Sequence, residues 1–323
     1  YSNAFCKLTY RCENSHINSM RWNDWQQGGR CPDCSRHVSK GEEELREFLE
    51  SLGYNTLGSD RSLIPPYELD IVIPAKKIAI EYCGLYWHSE KSGKNRNYHL
   101  SKLDKCSSIG YRLITLFEDE WLLKKDIIKS ILRSVVGKRK SKRIYARKCS
   151  IGIIDTKTKN HFLDKHHLQG RDSSVIKLGA FYDGEVVSVM TFAHGNISKG
   201  AKKEQGVWEL NRFCVHTDFN VVGIASKLLT FFKNNYTWSE IFSYADRRRS
   251  VGHVYNKLGF DLVKLTQPNY WYTRGVSRIH RFNLRKTYND PVDISESVLR
   301  SQEGYFRIWD CGNLKFSIKN LEE

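Results

Sequence analysis

No apolar run in the 323-residue sequence approaches the roughly 18 residues that a membrane-spanning helix needs. No secretory leader pattern is visible either. A membrane partner is therefore not expected, and the reading is a cytoplasmic protein. Internal repeats and low-complexity tracts are also missing, which argues against a solenoid or a disordered chain. Acidic residues are outnumbered, 36 against 52 Lys and Arg, for a formal charge of +16. An excess of this size points to a polyanion, because cationic side chains displace counterions from phosphates. With 12% aromatic residues beside the basic clusters, nucleic acid is the expected partner. The nine cysteines do not form a disulfide framework: Cys6, Cys12, Cys31 and Cys34 crowd the N-terminus and the other five are scattered. What is present is a hydrophobic content of 40%, ordinary for packed cores.

Composition divides the chain into an α/β multidomain protein. The segments are a small metal-binding module at 1–38, an α/β domain at 39–136, a basic linker at 137–148, a second α/β domain at 149–290 and a tail at 291–323. In the second segment, Ser39 and Glu42 have capping-box spacing ahead of Leu45, Phe48, Leu49 and Leu52, which share a helical face that Gly53 ends. Two strands follow, LDIVIP and IAIEYC. A helix is expected at YHLSKLDKCSSIG, a strand at YRLITLF, and a helix from Trp121 to Val136. The linker, GKRKSKRIYARK, carries seven Lys or Arg in twelve residues and no acid. Lys138, Arg139, Lys140, Lys142 and Arg143 are expected to touch phosphate.

Within YRCENSHINSMRWNDWQQGGRCPDC, C-x3-H and C-x2-C spacings imply a structural Zn²⁺ site. Cys31 and Cys34 are the firm half. Cys12 with His16 completes it, and Cys6 is the alternative to His16. Arg21 and Arg30, beside Trp22 and Trp25, give this module a basic, aromatic surface suited to DNA.

The stretch YELDIVIPAKKIAIEYCGLYWHSE carries Asp70 and Glu81 on two adjacent strands, from which carboxylates can converge on Mg²⁺ or Mn²⁺. Glu42, in the first turn of the preceding helix, is a third candidate. His88 follows the second strand, and His99 and Lys102 are one helical turn apart. Residues 39–121 resemble the PD-(D/E)xK nuclease superfamily. They are most similar to the branch of the very-short-patch-repair endonuclease and its phage homing-endonuclease relatives, on the Glu-Tyr-x-Gly-x-x-Trp-His stretch followed by Tyr-His-x-x-Lys. That resemblance implies a restriction-endonuclease-like domain. In it Asp70 is the central metal ligand, Glu81 the second strand carboxylate, Glu42 the helix glutamate and His88 the histidine that activates water or acts as acid. Cys83 stands where the superfamily usually has lysine, leaving His88, His99 or Lys102 to supply that function.

The run WELNRFCVHTDFNVVGIASKLL, followed by YADRRRSVGHVYNKLGF, resembles the GNAT acyltransferase fold over roughly residues 150–275. Gly223 and Ala225 match its small-residue positions and Tyr255 its acid tyrosine. Asn220, Val221 and Val222 depart from its loop, which leaves coenzyme A doubtful. Arg247, Arg248 and Arg249, then Arg274, Arg278 and Arg281 among Tyr270, Trp271 and Tyr272, suggest a DNA-recognition surface. The combination resembles phage-encoded homing endonucleases acting in a bacterial host cell. The expected function is site-specific, metal-dependent cleavage of double-stranded DNA, with a double-strand break requiring a homodimer or two sequential nicks. The alternatives are a GNAT-type acyltransferase acting on nucleic acid or protein, and a non-catalytic DNA-binding regulator.

Overall fold

The structure, a computed structural model, describes residues 3, 6–12, 15, 17–27, 31, 39–195 and 205–320. The chain divides into two compact units, Tyr1–Glu47 and Phe48–Glu323. In the first, β1 (Lys7–Arg11) and β2 (Ile17–Arg21) form an antiparallel pair in register Lys7↔Arg21, followed by the short α1 (Trp22–Gln26). Residues along both strands alternate between exposed and half-buried. The Tyr10 ring stands edge-on to Trp25 at 5.1 Å. Of the residues expected to bind zinc, Cys12 and Cys31 are described, and Asn18 Nδ2 donates to Cys31 Sγ at 3.3 Å. His16 and Cys34 lie outside the described residues, as does Arg30. The next helix, α2 (Lys40–Ser51), starts as its sequence indicates, with the Glu42 N–H donating to Ser39 Oγ at 3.2 Å.

The second unit opens with β3 (Leu57–Asp60), β4 (Leu69–Ile73), β5 (Ile78–Cys83), α3 (Tyr98–Ser108), β6 (Arg112–Phe117) and α4 (Glu118–Val136). The four strands form one sheet in the order β3-β4-β5-β6. The β5–β6 pair is parallel and α3 is its crossover. All six residues of β5 are buried, so its near-continuous apolar run is that of a strand covered on both faces, and Glu81 sits inside it.

The rest of this unit holds β7 (Lys142–Tyr145), β8 (Ser150–Ile153), α5 (Thr156–His166), β9 (Ile176–Tyr182), β10 (Glu185–His194), β11 (Val207–Val215), β12 (Phe219–Val222) and α6 (Ile224–Asn235). It ends with β13 (Glu240–Asp246), α7 (His253–Lys257), β14 (Asp261–Leu265), β15 (Tyr270–Arg274), β16 (Ser277–His280), α8 (Glu296–Gln302), β17 (Phe306–Trp309) and β18 (Asn313–Lys319). Seven strands make a sheet in the order β14-β18-β13-β11-β10-β9-β8. A hairpin joins β9 to β10, with Asp183 and Gly184 both at positive φ, as a tight two-residue turn requires. The apolar face of α6 packs on the sheet, where Phe232 stacks on Phe192 at 3.7 Å.

Two segments sit differently from their sequence reading. Half of the basic linker is structured: β7 runs parallel to β12, with Arg143 opposite Asn220. The tail supplies β18, an interior strand between β13 and β14. Strands β16, β15 and β17 form a small sheet. Its Trp271 and Ile308 close over Cys83, Leu85 and Phe117 at the ends of β5 and β6. Among the described residues no helix is long and apolar enough to cross a membrane.

Candidate active site

Strand β11 departs from a regular ladder in two ways. Against β10, Arg212 faces Thr191 and Leu210 faces Phe192, so Asn211 is an extra residue, a β-bulge. Against β13, β11 pairs only from Val207 to Glu209. Beyond that point β13 stays with β18 while β11 stays with β10, and the two parallel strands splay. A cavity of about 460 Å³ opens in the wedge, lined by Asn211 to Thr217 on one side and Tyr244 to Asp246 on the other. Sequence reading missed this wedge, because a bulge and a missing ladder leave no compositional mark.

The apex of the wedge is polar. Ser243 Oγ donates to the Leu210 carbonyl at 2.8 Å and lies 2.9 Å from Tyr255 Oη. The Tyr255 ring stacks on Phe316 at 4.8 Å, which fixes its direction. Burial raises the Tyr255 hydroxyl above its ordinary value, so it keeps its proton at neutral pH. Three histidines that the sequence reading did not single out also line the cavity: His166, His167 and His216. The rings of His166 and His216 lie 3.9 Å apart. Burial first, then the neighbouring His216, lowers His166 to about 4, and burial then Arg212 lowers His167 to about 3. Both are therefore neutral imidazoles at physiological pH, and in each Nδ1 accepts a backbone N–H, from Thr217 at 3.3 Å in His166 and from Gln169 at 3.1 Å in His167. The adjacent His-His pair at the end of α5 was the available signal. Gly223, at φ +82°, opens α6 after β12, and arginines 139, 212 and 249 border the cavity.

A second cluster gathers most of the carboxylates and bases expected from sequence. Lys102 Nζ lies 2.5 Å from Glu81 Oε2, with both side chains almost fully buried. Asp70 Oδ2 accepts the Tyr82 N–H at 2.7 Å. His88 Nδ1 is 3.0 Å from His99 Nε2, and Cys83 Sγ is 3.6 Å from the same atom. Glu42 belongs to the other unit, where it pairs with Arg46 at 3.0 Å. Burial, and then the nearby Glu81, hold the Asp70 carboxyl well above its ordinary value. A carboxyl that binds its proton more tightly folded than unfolded contributes stability below its unfolded pKa, and that stability is lost as pH rises through the raised folded value. Asp70→Asn keeps an acceptor for the Tyr82 amide and carries no charge. It is expected to raise stability at pH 7 by about 0.5–2 kcal/mol, with no gain at pH 3. Urea denaturation at the two pH values reads the difference, and a destabilised variant at pH 7 would refute it.

The arginines expected on a DNA-facing surface divide. Arg274 is exposed, with its guanidinium over Tyr305, and Arg281 lies over Tyr270. Lys138, Arg139, Lys140, Lys142 and Arg143 are exposed, and so is Arg21 in the first unit. Arg247 pairs with Asp104 at 2.9 Å and Arg249 with Asp246 at 3.0 Å. Arg248 and Arg278 are turned inward, where Glu120, Asp119 and Asp246 neutralise them. Buried guanidiniums with carboxylate partners are not available to phosphate, so those two positions do not serve as a DNA surface.

The model of the Mom protein family matches residues 148–307. No curated protein sequence matches the chain. Among solved structures, the chain is similar to a GNAT-family acetyltransferase from Bacillus cereus ATCC 10987, at 15% identity over 54% of this chain and 99% of that one, TM-score 0.30. It is similar to a GNAT-family acetyltransferase from Elizabethkingia anophelis with acetyl-CoA bound, at 13% identity over 54% and 99%, TM-score 0.32. It is also similar to yncA, a putative acetyltransferase from Salmonella typhimurium with its cofactor acetyl-CoA, at 11% identity over 55% and 96%, TM-score 0.32. The elements themselves make the protein an α/β multidomain chain. These findings correct the expectation of a Mg²⁺-dependent DNA endonuclease with Mg²⁺ or Mn²⁺ and structural Zn²⁺ as cofactors. They also correct the expectation that coenzyme A is doubtful, since two of the similar proteins hold acetyl-CoA. In the structure the Glu81 carboxylate, assigned to Mg²⁺ from sequence, is paired with Lys102.

Proposed function

We propose that the protein is a GNAT-type acyltransferase that modifies nucleic acid, with the wedge between β11 and β13 holding a coenzyme-A-type donor. The observation that carries this reading is the wedge itself: a bulged strand, a parallel partner that splays from it, and a tyrosine hydroxyl at the apex. Two further features favour it. The Mom family, matched at 148–307, is one of phage DNA-modification proteins, and the charge of +16 suits a polyanionic acceptor.

The residues suit an anionic thioester. Arg139 and Arg212 border the cavity without a carboxylate partner among the described residues and are the cations offered to the donor's phosphates, while Arg249 is paired with Asp246. The start of α6 is less accessible, because Lys227 Nζ donates to the carbonyls of Ala146 at 3.0 Å and Cys149 at 2.5 Å, which holds that segment beside the helix. The donor, when bound, supplies an acyl group activated as a thioester. Tyr255 holds a proton at Oη that a leaving thiolate requires. His166 Nδ1 accepts the Thr217 N–H at 3.3 Å and lies 3.2 Å from Thr217 Oγ1, which restrains the ring and leaves the proton of the neutral imidazole on Nε2.

The test is calorimetric titration with acetyl-CoA, followed by transfer of labelled acetyl from acetyl-CoA to DNA and RNA. Wild type is expected to bind the donor and label nucleic acid. Tyr255→Phe is expected to keep binding and to lose about 10²-fold or more in transfer rate, the usual scale of a general acid. Folded wild type that neither binds acetyl-CoA nor labels either acceptor would sink the proposal, and labelling of added protein alone would reassign the acceptor.

A further inference from the structure

The Cys83, His88 and His99 side chains take no part in the proposed transfer, yet they converge from three elements: the end of β5, the loop after it, and the first turn of α3. Their ligand atoms all lie within 4.8 Å of one another. Cys83 and His99 are almost fully buried and His88 is half-buried.

Hydrogen bonding alone does not account for this arrangement. His99 Nδ1 is buried without a hydrogen-bond partner among the described residues. His99 Nε2 faces Cys83 at 3.6 Å and His88 Nδ1 at 3.0 Å, and a ring nitrogen offers at most one lone pair. The Cys83 thiol and the His88 N–H cannot both use that lone pair. A cation resolves the conflict, because all three atoms then act as donors of electron pairs to one centre. Zinc-like ions sit about 2.0–2.1 Å from imidazole nitrogen and about 2.3 Å from sulfur, which makes tetrahedral edges of roughly 3.4 Å for N···N and 3.6 Å for S···N. The observed 3.0 and 3.6 Å lie within a few tenths of an ångström of those edges, and the third edge, between Cys83 and His88, is within 4.8 Å. A thiolate and two imidazoles select a soft or borderline transition ion over Mg²⁺ or Ca²⁺. The Phe117 ring, edge-on to His99 at 5.8 Å, supplies part of the apolar surroundings that such ligands need. On the exposed side, His88 lines a cavity of about 410 Å³ with Tyr86, Trp87, Lys94 and Tyr98.

We propose that Cys83, His88 and His99 form a three-ligand site for a borderline-soft divalent transition-metal ion, with its fourth position open to the cavity beside Tyr86 and Trp87. Three protein ligands and one open position are the pattern of a site that binds a water or an exchangeable ligand, and not of a closed structural site.

Co²⁺ is the probe, because its visible absorption reports ligand type and coordination number. The full-length chain would be titrated as wild type, Cys83→Ser, His88→Gln and, as a control at another buried thiol, Cys106→Ser. The cysteines of the first unit contribute the same background to all four, so the readout is the difference between them. Wild type and Cys106→Ser are expected to bind one more equivalent of Co²⁺ than Cys83→Ser and His88→Gln. The sulfur-to-cobalt band of that equivalent should be absent from Cys83→Ser. His88→Gln alters a half-buried position, and it decides the matter if Cys83→Ser fails to fold. Equal stoichiometry and equal spectra for wild type and the folded variants would overturn the proposal.

Discussion

Replacing Arg248 with alanine is expected to cost about 3–5 kcal/mol of stability, the range for removing one partner from a buried ion pair. The side chain is 6% exposed. Its Nη1 and Nη2 donate to the two Glu120 oxygens at 3.1 and 3.0 Å, and Nη2 also reaches Asp246 Oδ2 at 2.7 Å. Arg278 completes the set, donating to Asp119 at 2.9 Å and to Glu120 at 3.0 Å. Both guanidiniums also lie over the Phe117 ring, at 4.5 and 4.2 Å. The network joins α4 of the first sheet to the loop after β13 and to β16. Alanine leaves Glu120 and Asp246 buried with fewer partners and opens a void against Phe117. Lysine restores one charge but not the two-pronged contact with Glu120, so Arg248→Lys should recover only part of the loss. The pH dependence has a definite sign. Burial alone would raise the Glu120 carboxyl, but Arg248 and Arg278 outweigh it and hold it far below the ordinary range. A depressed carboxyl contributes stability above its unfolded pKa and loses it as pH falls through its folded value. The wild type should therefore lose stability on acidification below about pH 4.3, and Arg248→Ala should lose less over the same interval. Urea unfolding at pH 7 and pH 3 checks both statements. A change under about 1 kcal/mol at pH 7 would mean that solvent reaches the network and carries its charges.

That network shows why charge pattern alone misleads. Three consecutive arginines at 247–249 read as a phosphate-binding run, and a basic chain makes that reading natural. Asp104 and Glu120 lie 143 and 128 positions from the arginines they hold, so no local window reveals those two pairs, whereas Asp246 stands two and three positions before Arg248 and Arg249. Other features were legible because they are local. The Asp183-Gly184 turn, the Ser39 cap and the buried strand IAIEYC each depend on a few adjacent residues. The convergence of Asp70, Glu81, His88, His99 and Lys102 was also readable, since strand alternation and helical spacing bring them to one place. Their protonation was not. It depends on burial and on which partner reaches which oxygen. The wedge at β11 and β13 was less legible still, because splaying is a relation between two strands thirty residues apart. Here sequence offered only the glycine before α6 and the tyrosine after β13. For a similar reason nothing in NLKFSIK itself says that it enters a sheet between β13 and β14.

Lys102→Met is expected to be the other severe substitution, again by about 3–5 kcal/mol. Lys102 is 2% exposed and Glu81 1%, so neither charge has water to fall back on. Removing the ammonium leaves the Glu81 carboxylate inside β5 beside Asp70, which is already raised by burial and by Glu81. Methionine fills much the same volume, so packing is nearly conserved and the loss reports the charge. The decisive comparison is the double variant Lys102→Met/Glu81→Gln. If the ion pair is the cause, the second change removes the stranded charge and the pair of substitutions costs markedly less than Lys102→Met alone, with a coupling of about 0.5–3 kcal/mol. If the two losses simply add, Lys102 acts through its packing against the Tyr98 ring, 5.7 Å from its nitrogen, and not through Glu81. The same cycle bears on why the cluster exists. Two carboxyls on a sheet and a lysine from the helix over it are a poor way to stabilise a domain, because apolar residues of similar size do it as well or better. Burial and neighbouring charge set their protonation, so each substitution reads one side of a charge balance. Stability that rises in Asp70→Asn and collapses in Lys102→Met would place these residues on opposite sides of that balance, the first retained at a cost and the second required to sustain it.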